Sequence, residues 1–99
     1  GALKKYLSPK KRALIRKRDG HQCQLCYHKG TQCHHIVSIS EAKSKKWSRQ
    51  EINSPYNVIL LCENCHKKAH MLNLIAVLSR IAIENTRRYK IKCPKDIFR

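Results

Sequence analysis

The adjacent histidines His34 and His35 stand at the end of a short β-prone run, with Cys23-x-x-Cys26 before them and Asn57 and Cys62-x-x-Cys65-His66 after them. Each C-x-x-C pair lets two sulfurs reach one tetrahedral ion from a tight turn, so Cys23, Cys26, Cys62 and Cys65 are expected to hold a structural Zn2+. A site closed by four cysteines keeps no open position. His34, His35 and His66 are then left over for a second, reactive site. His66 and His70 are spaced i, i+4, which puts both on one helical face about a turn apart.

The order Arg18-Asp19-Gly20, Cys23-x-x-Cys26, His34-His35-Ile36, Asn57-x-x-x-Leu61-Cys62-x-x-Cys65-His66 and then His70 resembles the zinc-stabilised HNH endonucleases of the ββα-metal class. The resemblance runs from Arg18 to His70, about half the chain. It implies metal-dependent hydrolysis of DNA phosphodiester bonds, by nicking or by double-strand cleavage. It also implies an α+β fold: a small single domain whose two-stranded hairpin and helix are stapled by the four-cysteine zinc site, with an N-terminal helix ahead of them. Carried over position by position, His35 is the general base and His34 a ligand of the catalytic divalent ion. His66 ligates that ion from the head of the helix, and His70 is a third ligand or a phosphate contact. Asn57 matches the family's middle asparagine, a bracing residue that orients the base through the connecting loop. Such chemistry needs an activated water and an ion to take up charge on the phosphate and leaving oxygen. A nitrogen-rich site with open positions suits Mn2+, Ni2+ or Zn2+, and Mg2+ with its waters is the other candidate.

Other chemistries fit less well. A secreted disulfide framework would leave the histidine cluster between the C-x-x-C pairs unexplained, and no apolar signal segment precedes them, so an intracellular, cytoplasmic setting is expected, with a phage or a bacterial host among the contexts open to it. Glu41-Ala42-Lys43 matches the E-x-K fragment of restriction-type nucleases, without the upstream acid that chemistry needs. The six acidic residues are scattered singly, so no carboxylate cluster is available for two metals. Cys33 beside His34 is an i, i+1 pair that points apart in a strand. The alternative to catalysis is a zinc-stabilised nucleic-acid-binding module that has lost cleavage, and a chain needing only the fold has no use for His34, His35, Asn57 and His66 together.

Twenty-two Lys and Arg against six Asp and Glu give a net charge of +16, with eight cations in residues 1–18, eight in 29–80 and six in 87–99. A polyanion is the natural partner: DNA on the resemblance, with RNA open on charge alone. Arg16, Arg18, Lys43, Lys45, Lys46, Arg49 and Lys67 are the candidate phosphate contacts. The apolar run Met71 to Leu78 is far shorter than the roughly 20 residues a bilayer needs, so no membrane is expected.

A chain of 99 residues is too short for a large apolar core, and a metal staple is the expected remedy. One domain is expected over residues 1–99, with the motif core at 18–70, an N-terminal helical arm at 1–17 and a basic tail at 87–99. Ser8-Pro9 reads as a cap with proline at the first helical position, predicting a helix from Pro9 to near Arg18 that Gly20 ends. Strands are predicted over Thr31 to Val37 and Asn57 to Leu61, joined by a long connection with a helical turn around Glu41 to Trp47. In a regular strand His34 and His35 point to opposite faces, so one site can use both only if the strand is twisted, bulged or ending there. The second helix is predicted to continue to about Arg87. It is apolar on most sides over 71–83, and calls for cover from the N-terminal helix and the tail, from a second copy in a homodimer, or from a larger protein. Cys33 and Cys93 are left without a metal role.

Neutralising Lys43, Lys45 and Lys46 together should flatten the salt dependence of DNA binding, by about 0.9 in the slope of log K against log salt for each phosphate that is no longer neutralised. Filter binding or anisotropy across a salt series measures that slope, and an unchanged slope would remove the long connection from the DNA surface.

Overall fold

The computed structural model describes residues 6–91. Helix α1 spans Pro9–Arg18 and begins where the sequence dictates: the Ser8 hydroxyl accepts from the Lys11 N–H at 3.2 Å, and Pro9 takes a first-turn position. It ends at Asp19, and Gly20 follows at φ +64°. The chain then forms a knuckle, with Gln22 bridged to Lys29 and the Cys23 N–H donating to His28 O at 2.7 Å. Gly30 closes it against the hairpin, where an added Cβ would lie 2.5 Å from Leu60 Cγ.

Strand β1 (Gln32–His35) pairs antiparallel with β2 (Val58–Leu61), in the register Gln32↔Leu61, Cys33↔Leu60, His34↔Ile59 and His35↔Val58. Both are shorter than the predicted strands. Asn57 closes a 3-10 turn, Pro55–Asn57, instead of opening β2. The connection between the strands is more ordered than its composition suggests. Helix α2 (Ile39–Ser44) is capped by Ser38, and α3 (Arg49–Ile52) by a reciprocal Ser48–Glu51 box. That S-x-x-E spacing is a legible start signal.

Helix α4 (Glu63–Met71) leaves β2 through Cys62, whose sulfur accepts from the Cys65 N–H at 3.4 Å. The expected single helix to Arg87 is in fact two. Leu72 is extended, at φ −113° and ψ 149°, and α5 runs separately over Ile75–Arg88. The break lets α4 present its histidines to β1 while α5 turns Leu78 and Ala82 into the core. Met71, Leu72 and Val77 remain exposed, so the described residues do not give this stretch the cover its composition calls for. Residues 92–99, and with them Cys93 and most of the expected basic tail, lie outside the described residues.

All four residues of β2 are fully buried, each contributing about 1.5–3 kcal/mol of hydrophobic stabilisation. They alternate between two layers. Ile59 and Leu61 pack with Ile36, Leu78 and Ala82 on the α4–α5 side, while Val58 and Leu60 pack with Leu7, Ile15 and Cys33 on the α1 side. A third cluster of Val37, Ala42 and Ile52 anchors the connection, with Trp47 against it. The expected α+β hairpin-plus-helix architecture is present. No helix of the described residues is long and apolar enough to cross a membrane.

Arg18 departs from expectation. As a cation of a basic helix it is a candidate phosphate contact, yet it is 3 % exposed and its guanidinium is spent inside the molecule. Nε meets Asp19 Oδ1 at 2.7 Å, and the terminal nitrogens donate to Asp19 Oδ2, Pro55 O, Val58 O and Thr86 Oγ1. Asp19 in turn accepts from the Leu60 N–H and the Asn85 amide, both at 2.9 Å.

Arg18→Ala should destabilise the fold by about 3–5 kcal/mol, because it leaves the Asp19 carboxylate buried and unpaired. Lys17→Ala, at an exposed neighbour, should stay within about 0.5 kcal/mol. Denaturant unfolding of both variants checks the contrast.

Candidate functional site

The register that builds the hairpin also divides the two histidines. His34 lies opposite Ile59 and so faces α4, while His35 lies opposite Val58 and faces the α1 layer. The pleat is regular, and neither bulge nor unusual twist is needed. β1 ends at His35, and a cleft of about 430 Å3 around that end is lined by both histidines together with Ser38, Glu41 and His70.

On the α4 face the His34, His66 and His70 rings converge. The centroid of the His34 ring is 5.0 Å from that of His66 and 5.3 Å from that of His70, and the two α4 rings bring their Nε2 atoms to 3.0 Å. One nitrogen from each ring lies within 4.8 Å of the others, a grouping that could hold a metal ion. Burial, with the neighbouring imidazoles, pushes the His34 pKa down to about 3, and burial lowers that of His66 as well. Both rings are therefore neutral at pH 7, as ligation requires. His34 Nδ1 is buried with no hydrogen-bond partner among the described residues. A buried orphan of this kind on a ring converging with two others suits an ion.

His35 takes no part in that grouping. Its Nε2 lies 2.9 Å from Asn53 Oδ1, and its ring meets Tyr6 edge-on at 6.2 Å. Burial lowers its pKa, opposed by the Asn53 hydrogen bond. Asn57, fully buried, joins the loop ends around it: Oδ1 accepts from the Val37 N–H at 2.8 Å, and Nδ2 donates to Val37 O and Ile52 O. Both ends of the α2–α3 connection are thus tied to the start of β2.

Away from the cleft, the sulfurs of Cys23, Cys26, Cys62 and Cys65 lie within 4.8 Å of one another, with Cys26 and Cys62 at 3.6 Å. Burial raises the Cys23 thiol, but the backbone N–H groups of Cys26, Cys62 and Leu25 outweigh it and hold the pKa at about 6. Cys65 is pushed up to about 12 by burial and by the sulfurs crowded round it. Four sulfurs gathered this closely could hold a metal ion, and a four-sulfur set suits zinc. His28 Nδ1 approaches Cys26 Sγ at 3.3 Å. Cys33 is apart from both groups, buried, with its sulfur 3.9 Å from Arg12 O and its pKa raised by burial.

Among the expected phosphate contacts, Lys43 and Arg49 place their charges over the Tyr6 ring, 5.4 and 4.7 Å from its centroid, on the His35 side. Lys45 and Lys46 are exposed just after α2, and Arg16 is half-buried on α1. Lys67 is exposed beside Glu63 at 3.7 Å. Sequence reasoning missed Asn53 and Tyr6, the two side chains beside His35. Both reach it from distant parts of the chain, and only the Ser54-Pro55 turn signal stood near Asn53.

No curated protein and no solved structure matches the chain. A family model described as HNH endonuclease matches residues 19–70, which spans the knuckle, both strands, the α2–α3 connection and the histidines of α4. The chain belongs to the HNH endonuclease family.

Proposed function

We propose that this domain is a metal-dependent endonuclease hydrolysing DNA phosphodiester bonds, with His35 as general base and a catalytic divalent ion held by His34, His66 and His70. One observation carries the reading: His34 joins two imidazoles of α4 while His35, one residue on, stays out of that group yet lines the same cleft. The ion, when bound, supplies positive charge to the phosphate and the leaving oxygen. His35 accepts the proton of the attacking water, a role open to it because burial favours the neutral ring. Asn57 holds the ends of the connection and so fixes the wall of the cleft beside His35. Lys43, Lys45, Lys46 and Arg49, with Arg16 and Lys67 further out, offer charge to the flanking phosphates, and the +16 net charge draws the polyanion in. The four thiols take a structural Zn2+ that clips the knuckle to the start of α4.

His35→Ala should slow nicking of supercoiled plasmid by about 100-fold or more, the low end of what a positioned general base contributes, with zinc content and DNA affinity near normal. His34→Ala should instead respond to added divalent ion, because it weakens a ligand set. Preserved cleavage by the His35 variant would sink the mechanism and favour the binding-only module, and an RNA substrate run in parallel tests the choice of nucleic acid.

Stripping the thiol-bound metal with a strong chelator should unfold the domain, because metal binding supplies much of a small domain's folding free energy. Cys33→Ser should keep one tightly held zinc per chain. Elemental analysis and circular dichroism read both outcomes, and a folded, zinc-free protein would overturn the assignment.

A further inference from the structure

Asn53 is nine-tenths or more buried, and both ends of its side-chain amide are engaged. Nδ2 donates to the backbone carbonyl of Tyr6 at 2.8 Å, and Oδ1 faces His35 Nε2 at 2.9 Å. An amide's oxygen and nitrogen are told apart by their partners. A backbone carbonyl only accepts, so the end facing Tyr6 must be the NH2 group and the end facing His35 must be the oxygen. An amide oxygen also only accepts. A hydrogen bond at 2.9 Å therefore requires the proton to sit on His35 Nε2. In the neutral ring the other nitrogen, Nδ1, is then bare, and it is the nitrogen of His35 that is buried without a partner among the described residues.

We infer that Asn53 is a positioning residue that locks His35 in the Nε2–H tautomer, leaving Nδ1 as the ring's bare nitrogen, and that the backbone of Tyr6 sets this by fixing the amide's orientation. The tautomer follows from the hydrogen bonds alone. Its catalytic consequence rests on the reading of His35 as the general base.

The test compares the full chain with Asn53→Ala and Asn53→Asp, all zinc-loaded. Both variants lose the donation to Tyr6 O, but the aspartate keeps an acceptor for His35 Nε2. Their difference isolates the bond to the ring from any general loosening of the N-terminal segment. Long-range 1H–15N correlation of the histidine rings, about two pH units above the ordinary histidine pKa, reports which nitrogen carries the proton without DNA or catalytic ion. The wild type should show a single Nε2–H form of His35, Asn53→Ala a mixture, and Asn53→Asp a return to Nε2–H. In plasmid nicking, kcat of the alanine variant should fall by about 10-fold or more with KM nearly unchanged, and the aspartate variant should recover most of it. An Nδ1–H form in the wild type overturns the inference, as does a shared loss in both variants or a wild-type kcat in Asn53→Ala. A wild type that does not cleave at all would sink the proposed activity instead, and the ring spectra would still decide what Asn53 does.

Discussion

The ion pair between Arg18 and Asp19 is buried, made by neighbours in the chain, and touched by nearly every layer of the molecule. Through it the end of α1 is joined to the 3-10 turn at Pro55, to β2 at Val58 and Leu60, and to α5 at Asn85 and Thr86. Burying two charges is costly, and the cost is offset only where geometry is good and the remaining donors and acceptors are filled. Here the guanidinium donates five hydrogen bonds and the carboxylate accepts four. In a chain with so many cations, the burial of this one separates it from the surface charges: it holds together elements that a small apolar core would hold weakly.

The ion pair joins α1 to the hairpin and α5, and on the other side of the hairpin the four sulfurs of the knuckle and the head of α4 lie close enough together that they could hold an ion. Between them lies β2, which offers Ile59 and Leu61 to one layer and Val58 and Leu60 to the other. The strand has no polar face to spare for solvent, which is why its sequence is an unbroken apolar run.

What could be read from the sequence was whatever depends on local spacing. The Ser8-Pro9 start, the paired C-x-x-C turns, the i, i+4 histidines and the alternation that parts His34 from His35 are all short-range rules, and each has its counterpart in the structure. Long-range packing was not legible. Arg18 looks like any other cation of a basic helix until Asp19, Pro55, Val58 and Thr86 gather round it. The break at Leu72 carries neither glycine nor proline, and it follows from α4 and α5 having different surfaces to meet. Asn53 reads as a loop residue because its partners, Tyr6 and His35, lie far away in the chain.

The separation of the two histidines has a further consequence. Adjacent Cα atoms across a trans peptide sit a fixed ~3.8 Å apart, and no packing change alters that. The backbone spacing between the strand residue of the grouping that could bind an ion and the residue that stands apart from it is therefore covalently set. His66 and His70, by contrast, meet His34 through the docking of α4 on the hairpin.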